Sequence, residues 1–302
     1  MSVVSVRESS LELQRQANPL ARAWAGTWRF CRRKPLGAIG GAIIVLLVAV
    51  AIAAPLLTPY DPTENDIPVR LQSPSAAHPL GTDQLGRDGW ARIAHGARTS
   101  LFVGMSAVML GTLVAIVLGT LGGYMGGTLD MVMDRFIDAI MAFPWIMLML
   151  TMMSIFGSSV GNLALALGIA MAPRNTRVVR STVLSLRDSQ YVDAARAIGA
   201  SHLRIIVRHI LPNIMAPVIV LVSVYLGWAI LVESSVSFIG FGVPPPTPSW
   251  GRALSDEGRR FMFQAPWLAT FPGIAISLAV FGFNMLGDAL RDVLDPRMRG
   301  VS

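Results

Sequence analysis

Charged residues are scarce in this sequence. They make up 14% of its 302 residues, whereas ordinary soluble domains carry about 25%. Hydrophobic residues make up 53%, and the mean hydropathy is +0.56. Uncharged runs of about 18 or more apolar residues are typical of membrane spans, because a soluble domain would have to hide every such run in one core. The composition therefore excludes an ordinary soluble domain and predicts an all-α polytopic membrane protein.

Lysine and cysteine are nearly absent. Lys34 is the only lysine, and it precedes Pro35 without the glycines of the phosphate-binding motif G-x-x-x-x-G-K-[ST]. The chain therefore has no ATP site of this kind, and the energy for any transport has to come from a partner or from an ion gradient. Cys31 is the only cysteine, which excludes an intrachain disulfide. The net charge of +7 comes without a recognised nucleic-acid module, so nucleic acid is not a predicted partner.

The uncharged runs predict six transmembrane helices. They lie at 36–57, within 99–129, and at 139–156, 160–173, 213–232 and 267–287. The first run follows a polar tail that is too long for a typical signal peptide, so we expect an uncleaved span rather than a cleaved leader. The fourth run covers only about 21 Å of a hydrocarbon core of about 30 Å. It is either re-entrant or part of a helix that continues past Pro173.

Cationic residues are distributed unevenly between the two sides that these spans define. With the N-terminus inside, the cytoplasmic segments carry 18 of the 25 Lys and Arg residues. This is the positive-inside pattern, and it predicts a multi-pass protein of the plasma membrane with both termini in the cytoplasm. The predicted units are a cytoplasmic tail (1–34), the first span with an outer loop (35–98), a permease core (99–292) and a cytoplasmic C-terminal tail (293–302).

The pattern of residues in a basic cytoplasmic loop at about 174–212 predicts two helices. Asp188 or Ser189 can cap the first helix, which we expect to run from Tyr191 to Ile198, and Gly199 occupies the position of a left-handed residue after its end. Ser201 can cap the second helix, whose apolar stripe is Leu203, Ile206, Val207, Ile210 and Leu211. Pro212 is expected to break this helix as the fifth span begins.

Periodicity alone leaves two interpretations of the loop. The amphipathic helix could lie on the lipid headgroups, held by its arginines. Alternatively, the small residues Ala194, Ala195 and Gly199 could let a partner's backbone approach closely.

Residues in this loop carry a resemblance to a known family. Asp193-Ala194-Ala195, then Gly199, then Leu211-Pro212 resembles the EAA loop of ABC-importer permeases, with Asp193 in place of the usual Glu and His209 where Ile is common. The segments GTDQLGRD (81–88), GGYMGG (122–127), SFIGFG (237–242), PPPTPSWG (244–251) and GDALRDVLDP (287–296) resemble the dipeptide, oligopeptide and nickel branch of that family. The separate first span with its long outer loop resembles the C-type subunit of these importers.

The resemblance implies a fold, a role and a set of partners. It implies a type I ABC-importer permease that forms a pathway with a second permease subunit, receives a solute from an extracytoplasmic binding protein, and is driven by two cytoplasmic ATP-binding subunits. ATP and Mg²⁺ would be bound by those ATPases, and this chain would hold no cofactor. Asp193 would be a polar anchor at the ATPase, Ala194 and Ala195 would allow close packing, Gly199 would set the turn, and Leu211-Pro212 would end the motif.

Two other classes of protein are alternatives. A self-contained secondary transporter or channel usually carries ionisable residues within its spans; here Glu233, at a span end, is the best candidate for a functional charge near the pathway, with an interface location as the alternative. A membrane enzyme is also considered, but the four histidines form no H-E-x-x-H motif. Asp83 and Asp88 alone make a poor metal site, and Asp83 with Arg87 is expected to shape a turn.

The outer segment before the sixth span is rich in proline. The run from Pro244 to Pro248 is expected to be semi-rigid, and Trp250 is a typical residue for the membrane interface. By resemblance this face would meet the binding protein or the sister permease, with Pro245 and Trp250 among the contacts. The alternative is that the segment simply caps the sixth span.

Overall fold

The computed structural model describes Trp28 and residues 30–294, apart from the side chains at 256 and 257, so most of both predicted tails lies outside the described residues. In the described part, the regular secondary structure is helical, with one isolated antiparallel bridge between Thr82 and Asp88. The helices are α1 (Pro35–Leu57), α2 (Gly89–Met125), α3 (Gly127–Met141), α4 (Trp145–Phe156), α5 (Val160–Arg187), α6 (Gln190–Ala197), α7 (His202–Ile205), α8 (Leu211–Phe238), α9 (Trp250–Arg252), α10 (Arg259–Phe261) and α11 (Trp267–Leu294). Ile67–Val69 is a 3₁₀ turn, and Ile206–Ile210 and Ala253–Gly258 are π-helical.

Within the described residues, four helices are long and apolar enough to cross a membrane: α1, α2, His202–Phe238 and α11. A fifth candidate is the pair α3 and α4, which bend by 83° relative to each other. The predicted third span at 139–156 is therefore not one continuous helix, and a crossing of the membrane by this pair stays a prediction. The reason for the break is local, because Pro144 lacks the N–H that would bond to the preceding turn and stands at the start of α4.

The fourth predicted span is part of a longer helix. α5 continues through Pro173 to Arg187 and has 28 residues, or about 42 Å of rise. The continuing helix is therefore the correct alternative, and a re-entrant segment does not fit. The second half of α5 carries Arg174, Arg177, Arg180 and Arg187, so α5 does not qualify as a span by composition. The count of six spans stays a prediction in which α5 is one of the six.

Small residues allow α2 and α5 to pack closely. Gly111, Ala115, Gly119 and Gly123 recur every four residues on one face of α2. A Cβ added to Gly111 would lie 2.8 Å from the carbonyl oxygen of Gly168, and one added to Gly119 would lie 2.9 Å from that of Thr176. Because hydrophobic burial does not drive helices together in lipid, such backbone proximity is the main source of van der Waals contact. The α2–α5 pair therefore forms a rigid centre of the bundle.

The outer loop between α1 and α2 is held by buried ion pairs. Asp83 is fully buried, and its Oδ2 lies 2.6 Å from Arg87 Nε and 3.4 Å from Arg92 Nε. The N–H groups of Leu85 and Arg87 donate to its Oδ1, so the expectation that Asp83 and Arg87 shape a turn is confirmed. Asp88 caps α2 by accepting from the Ala91 N–H, and its other oxygen lies 2.9 Å from His78 Nδ1. The described residues contain no cluster suited to a metal ion.

Candidate functional site: the cytoplasmic loop and the helices it joins

Gly199 ends α6 in the left-handed conformation. Its φ is +79°, its N–H donates to Arg196 O at 2.9 Å, and the Ala200 N–H donates to Ala195 O at 3.0 Å. This pair of bonds is a Schellman motif, which satisfies carbonyls that a helix end leaves free. The predicted role of Gly199 as the residue after a helix end is confirmed. Ser201 accepts from the Arg204 N–H and so caps α7, also as predicted.

The start of α6 lacks the side-chain cap that was predicted at Asp188 or Ser189. α6 begins at Gln190 after Ser189, whose hydroxyl donates to Leu186 O at 2.6 Å instead of capping α6. The loop therefore closes back on the end of α5. Consequently α5, α6 and the turn at Gly199 form one continuous structure on the cytoplasmic side.

The predicted apolar stripe of the second helix is only partly correct. Ile205 and Ile210 are fully buried, whereas Leu203 and Val207 are 71% and 55% exposed. Ile206–Ile210 is a π-helical turn, which holds an extra residue and so brings Ile205 and Ile210 to the same side. Nor does Pro212 break the helix: it lies in the first turn of α8, and the helical path continues from His202 to Phe238. Asn213 Nδ2 donates to His209 O at this junction.

The two alanines of the motif face opposite directions. Ala195 is buried in an apolar cluster with Val192, Ile205, Ile210 and residues of α2, α5 and α8, while Ala194 is exposed. Asp193 is also exposed, and Arg196 Nη1 donates to its Oδ1 at 2.9 Å. Ala195 therefore permits close packing within this chain, and Asp193 and Ala194 are the pair that a partner can reach.

Tyr124 connects α2 to the loop, and sequence reasoning missed it. Its hydroxyl lies 3.1 Å from His202 Nδ1, and the Arg196 guanidinium lies over its ring at 5.8 Å. The signal that could have found it is the segment GGYMGG, in which one large residue interrupts glycines at the end of α2. The end of α2 therefore contacts both helices of the loop.

Three residues on the outer side were expected to contact a binding protein or the pathway. Glu233 and Trp250 are buried in this structure, at 0% and 1% exposure, and a contact of either side chain with the pathway or a binding protein stays a prediction. Trp250 Nε1 donates to Ile93 O at 2.9 Å, so the ring packs against α2 instead of the membrane interface. Pro245 is exposed, and its contact stays a prediction.

Glu233 is the common acceptor of a serine cluster. Ser100 of α2 donates to Oε2 at 3.1 Å, and Ser237 of α8 donates to Oε1 at 3.0 Å. Ser234 donates to Oε2 at 3.4 Å, and the Trp250 N–H donates to the Ser100 hydroxyl at 3.3 Å. The carboxyl group therefore joins α2, α8 and the start of α9.

We expect Glu233→Ala to destabilise the protein by at least about 2 kcal/mol, because it leaves buried hydroxyls without their acceptor. Glu233→Gln should stay close to the wild type, since a hydroxyl can either donate to or accept from the amide. Thermal unfolding of the purified protein in detergent measures both, with Ser235→Ala on the exposed side of the same helix as control. Equal loss in the Ala and Gln variants would contradict the shared-acceptor role.

Comparisons with known proteins agree with this geometry. Residues 111–300 match the family described as "Binding-protein-dependent transport system inner membrane component", and residues 22–74 match "N-terminal TM domain of oligopeptide transport permease C". The dipeptide transport system permease protein DppC of Alkalihalophilus pseudofirmus is 44% identical over 276 residues, 91% of this chain and 90% of the relative. The glutathione transport system permease protein GsiD of Escherichia coli O1:K1 is 40% identical over 279 residues, 92% of this chain and 91% of the relative.

A solved structure shows the same fold. A chain of the MetNI methionine ABC transporter, in an inward-facing conformation, superposes with a TM-score of 0.55 over 68% of this chain and 96% of that chain, at 15% identity. The family match over residues 111–300 and the identities of 40% and 44% to transport permeases, together with this fold, define a permease subunit of an ABC importer. The chain belongs to the family of binding-protein-dependent transport system inner membrane components.

Proposed function

We propose that this chain is one of two permease subunits that together form the pathway for dipeptides, oligopeptides or a related small solute. The observation that carries this proposal is the 44% identity to a dipeptide permease over 91% of the chain. The solute would arrive on an extracytoplasmic binding protein. Two cytoplasmic ATPases would bind ATP and Mg²⁺ and supply the energy, so this chain would have neither a cofactor nor a catalytic site.

The loop with Gly199 is the proposed contact with the ATPase. Tyr191, Ile198, Leu203 and Val207 are apolar and exposed around the turn, and such a contiguous patch is typical of an interaction surface. Asp193 and Ala194 lie on the exposed side of α6 and would anchor it in a groove of the ATPase, while Ala195 and Leu211 would hold the loop to α5 and α8. Closure of the ATPases would move this loop and, through Tyr124, the bundle.

The proposed orientation follows the distribution of arginine. Both termini would lie in the cytoplasm of a bacterium, with α6 and α7 on the same side, and α5 would complete six spans in the inner membrane. The Pro-rich segment with Pro245 would then face the binding protein or the sister permease. Lipid would cover the exposed side of α1.

Purification of the tagged chain from its native membrane in mild detergent tests this function. We expect mass spectrometry to find a second six-span permease and one or two P-loop ATPases in the same complex. Recovery of the chain alone, or as a homo-oligomer that transports without ATP, would contradict the proposal and favour a secondary transporter.

A further inference from the structure

A cavity of about 360 Å³ lies at the bend between α3 and α4 and is closed by α5 and α8. Three aromatic side chains form one wall. The ring centroids of Trp145 and Trp228 are 5.3 Å apart, and those of Tyr225 and Trp228 are 6.0 Å apart in an edge-on arrangement. Arg174 of α5 lies in the same lining. The cavity therefore combines a π surface with one cation.

Arg174 differs from the next arginines of its helix. Arg177 pairs with Asp138, and Arg180 forms two hydrogen bonds of 2.6 and 2.7 Å with Asp130. Within the described residues Arg174 is in no ion pair or hydrogen bond, and its side chain is exposed. It lies 14 residues, or about 21 Å, from the start of α5. A guanidinium at that depth is costly against lipid, so it is expected to face a water-filled space or an anion.

A second cavity, of about 550 Å³, lies beside the first and reaches the start of α8 and the end of α11. The two share Tyr225, and Val178 in the second follows Arg174 by one turn of α5. Asn213 and Leu294 lie at the end of it that the proposed orientation places in the cytoplasm. Among the described residues that line the two cavities, none is acidic and two are arginines, Arg174 and Arg291. The wall therefore favours an anionic group.

We propose that the cavity at the α3–α4 bend is a passage subsite for the free carboxylate of the transported solute, received by Arg174. The rings of Trp145, Tyr225 and Trp228 would contact the adjoining apolar side chain or ammonium group, since an aromatic face attracts both. This inference rests on the proposed function, because the carboxylate is that of a peptide. The headgroup of an anionic lipid such as phosphatidylglycerol carries the same net negative charge and is the competing source.

The test uses the complete importer, with its binding protein and ATPases, reconstituted in phosphatidylcholine vesicles with and without phosphatidylglycerol. Uptake of a labelled dipeptide and ATP hydrolysis are measured together. Arg174→Gln is expected to lower uptake about tenfold or more, since a charge-assisted hydrogen bond is lost, with hydrolysis stimulated by the loaded binding protein unchanged. Arg174→Lys should restore part of the uptake and Arg174→Glu none. Arg98→Gln, which removes an exposed arginine of α2 outside both cavities, is the matched control and should transport normally.

Each of the other outcomes contradicts either the subsite at Arg174 or the proposed function. Normal uptake by Arg174→Gln overturns the subsite, and so does an equal loss of uptake and hydrolysis. A deficit that depends on phosphatidylglycerol assigns Arg174 to a lipid headgroup and also overturns it. A wild-type complex that hydrolyses ATP but takes up no peptide overturns the proposed function, and the carboxylate subsite with it, before any variant is compared.

Discussion

Gly199→Val is expected to leave the chain folded and inserted but to lower uptake per ATP hydrolysed by about tenfold. Gly199 has a φ of +79°, and a Cβ there would meet no atom within 4 Å, so valine meets no clash and acts only through the backbone. The left-handed conformation costs an L-residue about 1–2 kcal/mol, more for a β-branched one. Because a free-energy change of about 1.4 kcal/mol is a factor of ten in an equilibrium, the ratio of docked to undocked turn would fall by about tenfold.

The chain contains a matched control for this variant. Gly157 also has a φ of +79° and open space around it, but it lies in the turn between α4 and α5, away from the loop. Gly157→Val should impose similar strain and keep uptake coupled to hydrolysis. Gly199→Asn should retain more coupling than Gly199→Val, since asparagine tolerates the left-handed region. The ratio of solute uptake to ATP hydrolysis is measured in reconstituted vesicles. Equal ratios for Gly199→Val and Gly157→Val would contradict the proposed role of the loop.

Asp83→Asn is expected to cost about 3–5 kcal/mol of stability and to lower the yield of folded protein sharply. The substitution leaves Arg87 and Arg92 buried beside a neutral amide, and removing one partner of a buried ion pair uncovers the desolvation cost of the other. The outer loop would then detach from the start of α2. Thermal unfolding in detergent and protease sensitivity of residues 58–88 measure the two effects.

Asp61→Asn is the control for Asp83→Asn. Asp61 lies in the same outer loop, but it is exposed and bonds only to the backbone and hydroxyl of Thr63. Its replacement should leave the unfolding midpoint unchanged. The unfolding midpoint of Asp83→Glu should lie between those of Asp83→Asn and Asp61→Asn. The charge is kept, but the longer side chain has to fit a fully buried site. Similar midpoints for Asp83→Asn and Asp61→Asn would show that the buried pairs do not hold the loop.

Local sequence features predicted the loop between α5 and α8 well up to its first turn. Gly199 and Ser201 act as expected because a helix end and a helix cap depend on backbone preferences within a few residues. The next turn did not follow from sequence, since a π-helical turn leaves no mark in the pattern of apolar residues. That turn places Ile205 and Ile210, five residues apart, on the same buried side, while Leu203 and Val207 are exposed.

Glu233 shows why the outer site could not be predicted in the same way. A carboxylate at the end of an apolar run is typical of a residue at the membrane interface or near the transport pathway. Its partners come from segments far apart in the chain: Ser100 lies 133 residues away, and the segment ending at Trp250 follows a long turn. A carboxyl group can be buried only where other groups form hydrogen bonds with it. Here those groups come from segments distant in sequence, so no local pattern predicts the burial.

The sequence by itself determined that this is an all-helical membrane protein of the ABC-importer permease family, and where its apolar segments lie along the chain. It could do so because hydropathy, caps and breakers act over single elements, and because the family segments are contiguous. Only the tertiary structure decided that α3 and α4 bend by 83°, that Glu233 and Trp250 are buried, and that Arg174 faces an aromatic cavity. These features arise from close packing between helices distant in sequence, where the small residues of α2 set the approach of α5 and thereby place the side chains around them.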